Sequence, residues 1–379
     1  MYQKLLAYLV ILAITPTLLM ANWENKSFEM DGYLREYRVY TPQDYDPSKT
    51  YSLVVGIHGL GDNMVNFSNI LREFSFIADT ADIILAYPQG LPNFLLGTGW
   101  NSGAGMLGIY PSEFVDDVAF INAVTDSMQT NYSIVKEQTY LFGFSNGGYM
   151  VQKIACESND RYAAIASIAG TLGNKIKSCN PERKIPILHF HGTADINVNY
   201  YNPPMGKSVS SLMRLWSGNY NCSEYEVIKL PDTQSDGYTV EHHIYKDCDE
   251  RLELFKVNNA MHIILNRTND ISYSDEMWKF FSYKKDTSIT TGVRNHQSNH
   301  INIYPNPAQD IVKINLQNFE RPHQLVVSIW DYTGKKIQNL TNNLSGDYLL
   351  DCRNFPNGIY LIIAQDEHRY LSSKFIVNR

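Results

Sequence analysis

Ser145, Asp195 and His262 are the residues whose types and order along the chain suit nucleophilic chemistry. Ser145 sits in Gly143-Phe144-Ser145-Asn146-Gly147, between the apolar run Tyr140-Leu141-Phe142 and a helix-like stretch with Met150, Val151, Ile154 and Ala155. A serine between a strand and a helix projects from a strained turn, so its packed neighbours can carry no side chain, and Gly143, Gly147 and Gly148 supply that clearance. A general base and an acid that orients it must then follow, in loops after later strands. Asp195 follows Ile185 to Phe190 in His191-Gly192-Thr193-Ala194-Asp195, and His262 follows Arg251 to Val257 in Asn258-Asn259-Ala260-Met261-His262. In that arrangement Ser145 attacks a carbonyl, His262 takes and returns the proton, and Asp195 fixes the histidine tautomer. The oxyanion would be met by backbone N–H groups of Asn146, opening the helix, and of Leu60 in the glycine-bracketed loop Gly56 to Asn63.

Other candidates have plainer explanations. His242 and His243 lie inside an alternating β-like stretch. His189 and His191 precede Asp195 and are expected to pack or hydrogen-bond under its loop, and His58 is expected to be a structural hydrogen-bonder. Asp116 and Asp117 fall in the first turn of a predicted helix, where carboxylates favour the helix dipole. No His, Cys, Asp or Glu cluster has metal-ligand spacing and no glycine-rich loop precedes a phosphate-binding lysine, so neither metal nor cofactor is expected.

The elements that would position these residues alternate between strand and helix. Glu36 to Tyr40, Tyr51 to Gly59, Ile83 to Pro88, Tyr162 to Gly170 and Ile185 to Gly192 read as strands, and Asn63 to Ala78 as a helix. Ser112 is read as the cap of a helix carrying Val115, Val118, Ile121, Val124 and Met128. Further on come a helix with Val209, Leu212, Met213 and Trp216, strands TVEHHIY and RLELFKV, and a helix around Met277 to Phe281. Repeated βα alternation with buried strands predicts an α/β fold: a mostly parallel sheet with helices on both faces, as in the α/β hydrolases.

At 379 residues the chain is long enough for two globular units, and 44% hydrophobic against 19% charged residues describes a folded protein. A net charge of −7 without a basic cluster excludes nucleic acid as a partner. Lys4 followed by LLAYLVILAITPTLLMA predicts a signal peptide over residues 1–21 and hence export. Residues 22–283 form the predicted catalytic domain and the polar stretch 284–302 a linker. In residues 303–379, β-like runs at Ile311 to Leu316, Leu325 to Asp331, Gly358 to Ala364 and Lys374 to Val377 alternate with turn residues, which predicts a small β-sandwich.

The stretches IHGLGDN, YPQG, GWNSG, VDDVAFI, GFSNGGYM, ACESNDRYAAIASIAG and LHFHGTAD resemble the secreted polyhydroxybutyrate depolymerase and feruloyl esterase family, grouped under carbohydrate esterase family one. NNAMHIIL departs from the family pattern, which has glycines before the final histidine and a tryptophan soon after it. The resemblance implies a serine esterase acting on feruloyl or acetyl esters of plant polysaccharide, and the protein is expected to be a monomer. A polyhydroxyalkanoate depolymerase is the alternative enzyme, and a noncatalytic surface-binding protein the alternative of another class. The glycine-rich loop Gly90 to Pro111 lies on the catalytic side of the sheet, and its Phe94, Trp100, Asn101 and Tyr110 are candidates to bind a planar acyl group or to pack the loop. Four cysteines before the linker allow three pairings. Cys156 with Cys179 and Cys222 with Cys248 would each close a short loop, worth roughly 3 kcal/mol in the chain-entropy model, and the resemblance implies this pairing. Cys352 is expected to be an unpaired core residue.

The tail's YPNPAQD, WDYTGKKI, FPNGIYLI and KFIVNR resemble the C-terminal sorting domain of type IX secretion, with a carbohydrate-binding module as the alternative. That resemblance implies the type IX machinery as a partner and an extracellular or cell-surface location.

Overall fold

The computed structural model describes residues 22–93, 96–105, 107–283, 301–316, 325–331, 335–340, 347–365 and 370–379. The predicted signal peptide, most of the predicted linker and Phe94 therefore lie outside the described residues. The chain divides into two compact units, residues 1–284 and 285–379.

In the first unit β1 (Asn22–Met30) and β2 (Tyr33–Thr41) form a hairpin across Asp31-Gly32. Both turn residues have positive φ, 53° and 78°, as a two-residue hairpin turn requires. Then follow β3 (Tyr51–Ile57), α1 (Met64–Ile70), α2 (Arg72–Thr80), β4 (Ile83–Pro88), a short ribbon of β5 (Leu91–Asn93) and β6 (Gly97–Gly99), α3 (Asp117–Asn131), β7 (Ile134–Phe144) and α4 (Asn146–Glu157). After these come β8 (Ala164–Ile168), β9 (Ile187–Gly192), α5 (Val209–Asn219), β10 (Glu224–Lys229), β11 (Thr239–Lys246), β12 (Leu252–Asn258) and α6 (Tyr273–Phe281).

Ten strands make one sheet in the order β1-β2-β4-β3-β7-β8-β9-β12-β11-β10. The six central strands, β4 to β12 in that order, are parallel, and antiparallel hairpins extend both edges. Every residue of β3, β4, β8 and β9 is buried, which only a sheet covered on both faces permits. Phe120 of α3, Met150 of α4 and Leu212 of α5 belong to one core cluster, and Phe67, Phe74 and Met277 of α1, α2 and α6 to the other. The chain leaves β3 toward β4 on one side and β7 lies on the other, so β3 and β7 flank a switch point, where this architecture opens a crevice at the carboxyl ends of the strands.

Two local expectations need correction. The predicted helix over residues 63–78 breaks at Leu71 (φ −96°, ψ 27°), so that two short helices each turn an apolar side inward. Ser112 caps no helix. It has φ 49° and its hydroxyl donates to Gly99 O at 2.9 Å, while Asp116 caps α3 by accepting from Ala119 N at 3.0 Å.

The second unit contains β13 (Asn302–Tyr304), β14 (Ile311–Asn315), β15 (Val326–Asp331), β16 (Lys336–Leu340), β17 (Asp347–Asp351), β18 (Gly358–Gln365) and β19 (Tyr370–Val377). They form antiparallel sheets of three strands, β13-β14-β17, and four, β16-β15-β18-β19. Val312, Ile314 and Leu350 from one sheet share a core with Val327, Ile362 and Phe375 from the other, which makes a small β-sandwich. Cys352 is buried there and is not disulfide-bonded. Burial raises its thiol pKa, as befits a packing residue.

Candidate active site

Ser145 lies between the end of β7 and the start of α4 with φ 56° and ψ −119°, a conformation that costs an L-residue of order 1–3 kcal/mol and persists only where the surroundings impose it. They do. A Cβ at Gly143 would collide with the backbone of Gly147, and one at Gly147 with the carbonyl oxygens of Ile57 and His58. One at Gly148 would press on Ile168 O at 2.8 Å, so the elbow is wedged between the ends of β3 and β8. The Ser145 side chain makes no capping bond, which leaves its hydroxyl out of the helix and the first N–H groups of α4 without intrahelical partners.

Asp195 is 1% exposed and lies three residues past the end of β9. Its Oδ1 accepts from the N–H groups of Asn197 (2.9 Å) and Val198 (2.8 Å), and its Oδ2 from His262 Nδ1 at 2.7 Å. Burial alone would raise its pKa, yet the bonds from His262 and Val198, with the nearby His262 and His191, leave it below the ordinary carboxylate value. Since Nδ1 of His262 carries the proton given to Asp195, Nε2 is the basic nitrogen. The imidazole packs on the Phe144 ring with centroids 4.7 Å apart, beside the residue that precedes Ser145. Gly192 lets the two loops meet, because a Cβ there would stand 2.7 Å from Ala260 C and Met261 O.

The other described histidines are occupied elsewhere. His191 Nε2 donates to Val198 O at 2.8 Å, and His189 Nε2 lies 3.1 Å from His191 Nδ1. Burial holds both below the ordinary histidine value, His191 at about 4. His58 donates from Nδ1 to Gly59 O at 2.7 Å and accepts at Nε2 from Gly90 N at 3.0 Å. His242 stacks on Phe255 at 4.1 Å and bonds Glu253 at 2.8 Å within the β11–β12 pair. Among the described residues no group of three or more His, Cys, Asp or Glu side chains could hold a metal ion.

Of the aromatic and polar residues expected to bind the acyl group, Trp100 is wholly buried, with its indole N–H given to His58 O at 2.8 Å, so it presents no surface to a ligand. Asn101 is committed as well: Nδ2 donates to Val115 O (2.8 Å), N–H to Asp117 Oδ2 (2.7 Å), and its carbonyl accepts from Lys153 Nζ (2.8 Å). Tyr110 is half-buried, with Lys175 Nζ 4.8 Å from its ring centroid. Asp117 does more than face a helix dipole. It is 0% exposed, its Oδ1 is 2.7 Å from Arg35 Nη2, and it anchors the loop through Asn101. Sequence reasoning missed this pair because the partners stand 82 residues apart. Removing one partner of such a buried pair costs about 3–5 kcal/mol. The disulfides are Cys156–Cys179, at the end of α4, and Cys222–Cys248, which ties the segments after α5 and β11.

A strained serine at the switch point of a mostly parallel sheet, with a carboxylate and a histidine hydrogen-bonded in loops after later strands, is the architecture of the α/β-hydrolase fold. Residues 45–228 match the phospholipase/carboxylesterase family, and residues 302–378 the secretion system C-terminal sorting domain. An esterase-like segment is thus followed by one that matches a sorting domain, which places the protein at the cell surface or in the extracellular space. It is 30% identical to feruloyl esterase C of Emericella nidulans over 42% of this chain and 55% of that one. It is 25% identical to a bifunctional acetylxylan esterase/xylanase of Neocallimastix patriciarum over 50% of this chain and 25% of that one. The chain thus spans a quarter to about half of these relatives' lengths. Among solved structures it is similar to the acetyl xylan esterase from Aspergillus awamori, with 13% identity, TM-score 0.49, and coverage of 68% of this chain and 98% of that one.

Proposed function

We propose that this is a secreted serine esterase that cleaves carboxylic esters through an acyl-enzyme, with Ser145 as nucleophile, His262 as base and Asp195 as its orienting acid. The observation that carries the reading is the 2.7 Å bond from His262 Nδ1 to a buried Asp195, reached from loops beside a strained serine. With Nδ1 held, Nε2 takes the Ser145 proton as the serine oxygen attacks the ester carbonyl. The N–H groups of Asn146 and Leu60 receive the oxyanion, and Nε2 returns the proton to the leaving alcohol. Water, activated by the same nitrogen, then releases the acid. Similarity to a feruloyl esterase and to an acetylxylan esterase supports feruloyl or acetyl esters of plant polysaccharide as the substrate class. A second reading, a polyester depolymerase, draws support from exposed Leu60, Ile196 and Met261, apolar side chains next to or within the three loops concerned. The preserved acid–base pair weighs against a noncatalytic binding protein.

The test is a hydrolysis screen over p-nitrophenyl acetate, methyl ferulate and polyhydroxybutyrate, with Ser145→Ala alongside. We expect turnover of both small esters and a loss of roughly 10³-fold or more in the folded variant. A Ser145→Ala protein as active as the parent would refute the mechanism, and turnover of the polyester alone would favour the second reading.

A further inference from the structure

Trp100 touches both elements that would bind the oxyanion. Its indole N–H donates to the carbonyl of His58, two residues before Leu60, at 2.8 Å, and its ring packs on the His58 imidazole with centroids 4.9 Å apart. Its backbone N–H donates to Asn146 Oδ1 at 2.8 Å, while Asn146 Nδ2 donates to Ser102 Oγ at 2.8 Å. The preceding residue is wedged between the same two positions, because a Cβ on Gly99 would lie 2.8 Å from Leu60 Cδ1 and 3.2 Å from Asn146 Oδ1. Gly61 N–H, next to Leu60, donates to Thr98 O at 2.7 Å. The segment Thr98 to Ser102 thus spans from the β3 loop to the first residue after the nucleophile. Asp117 and Lys153 hold its far side through Asn101.

We propose that Trp100 is a positioning residue for the oxyanion hole, setting the separation and direction of the Leu60 and Asn146 N–H groups through these two bonds. The proposal rests on the serine-esterase reading. Two donors on separate loops stabilise a developing oxyanion only while both point at one place, and an oxyanion-hole donor is worth roughly 10²–10³ in kcat. The ground-state carbonyl uses those donors less, so loosening them lowers kcat and leaves KM nearly unchanged. A lining residue for a planar acyl group would act differently, changing KM or discriminating between acyl groups.

The experiment compares Trp100→Phe with the parent in the whole chain, since phenylalanine fills most of the indole space and lacks its N–H. We expect kcat to fall roughly tenfold or more on p-nitrophenyl acetate and by a similar factor on methyl ferulate, with KM within about twofold. Affinity for an alkylboronic acid, which mimics the tetrahedral intermediate, should fall with kcat, and the pH profile of kcat/KM should not move because the Asp195–His262 bond is untouched. Parental kcat in a folded Trp100→Phe protein would overturn the proposal, as would a loss confined to methyl ferulate. Should Trp100→Phe fail to fold, Asn146→Ala decides, since it keeps the backbone N–H of position 146 and removes the Oδ1 that accepts from Trp100 N–H. A selective fall in kcat supports the proposal, and unchanged kcat overturns it. If the parent hydrolyses neither small ester nor the polyester, or Ser145→Ala remains active, it is the esterase reading that fails.

Discussion

Gly192→Ala should separate the acid from the base without altering either residue. The Cβ would lie 2.7 Å from Ala260 C and Met261 O and nearer still to Ala260 O, whereas ordinary contact begins at 3.4 Å. These are backbone atoms that no side-chain rotation can clear, so the two loops must part by roughly 1 Å, a misplacement that costs about 10²-fold in rate. Asp195 stays with its own loop, tied to the N–H groups of Asn197 and Val198, while His262 follows Met261 directly. The 2.7 Å bond between them therefore takes the strain. A hundredfold loss in kcat/KM on p-nitrophenyl acetate corresponds to about 2.7 kcal/mol. The loop contacts Ala194 N to Ala260 O (3.0 Å) and Asn259 N to Thr193 Oγ1 (2.9 Å) also weaken, at about 1 kcal/mol each. The stiffer unfolded chain returns about 0.4–1 kcal/mol, for a net destabilisation of about 1–2 kcal/mol by denaturant titration. Gly218→Ala is the control: it lies in α5 with nothing within 4 Å of the added carbon, so it should leave activity unchanged and stabilise by about 0.5–1 kcal/mol. A Gly192→Ala enzyme with parental kcat/KM would show that the contact between these loops does not set the catalytic geometry.

Acid should unfold the first unit through buried histidines as well as through carboxylates. Between the ordinary histidine value near 6.5 and about 4, the unfolded chain binds a proton at position 191 that the folded chain refuses, so stability falls as pH is lowered through that window, by on the order of 1 kcal/mol per pH unit. His189 acts in the same direction, and Asp195, lowered below 3.8, adds its loss only at lower pH. His191→Gln should flatten the melting temperature between pH 6.5 and 4, and a profile as steep as the parent's would refute the assignment. Deleting residues 302–379 should leave ester hydrolysis by the purified protein unchanged and retain the protein inside the cells of its host, so normal export of the truncated chain would remove the sorting role.

What could be read from the sequence was what depends on short segments. The elbow was legible because strand, glycines and helix are contiguous, and Asp195 and His262 because each follows an apolar strand by a few residues. Strands whose side chains lack a buried face left little pattern: every residue of β10 is exposed, and β16 buries only Leu340. Trp100 shows the deeper limit. Its segment GWNSG reads as a glycine-rich loop beside a catalytic centre, and an aromatic residue there suggests a ligand surface. The contacts that decide otherwise come from residues far away in sequence: His58 and Asn146 hold Trp100, while Asp117, Lys153 and, through Asp117, Arg35 fix its neighbour Asn101. None of these partners leaves a periodic signal, because each bond is made once and across a sheet order that must be known first. A loop of this kind can therefore change from substrate contact to scaffold with no change in its own composition. The separation of kcat from KM in Trp100→Phe reads that distinction directly.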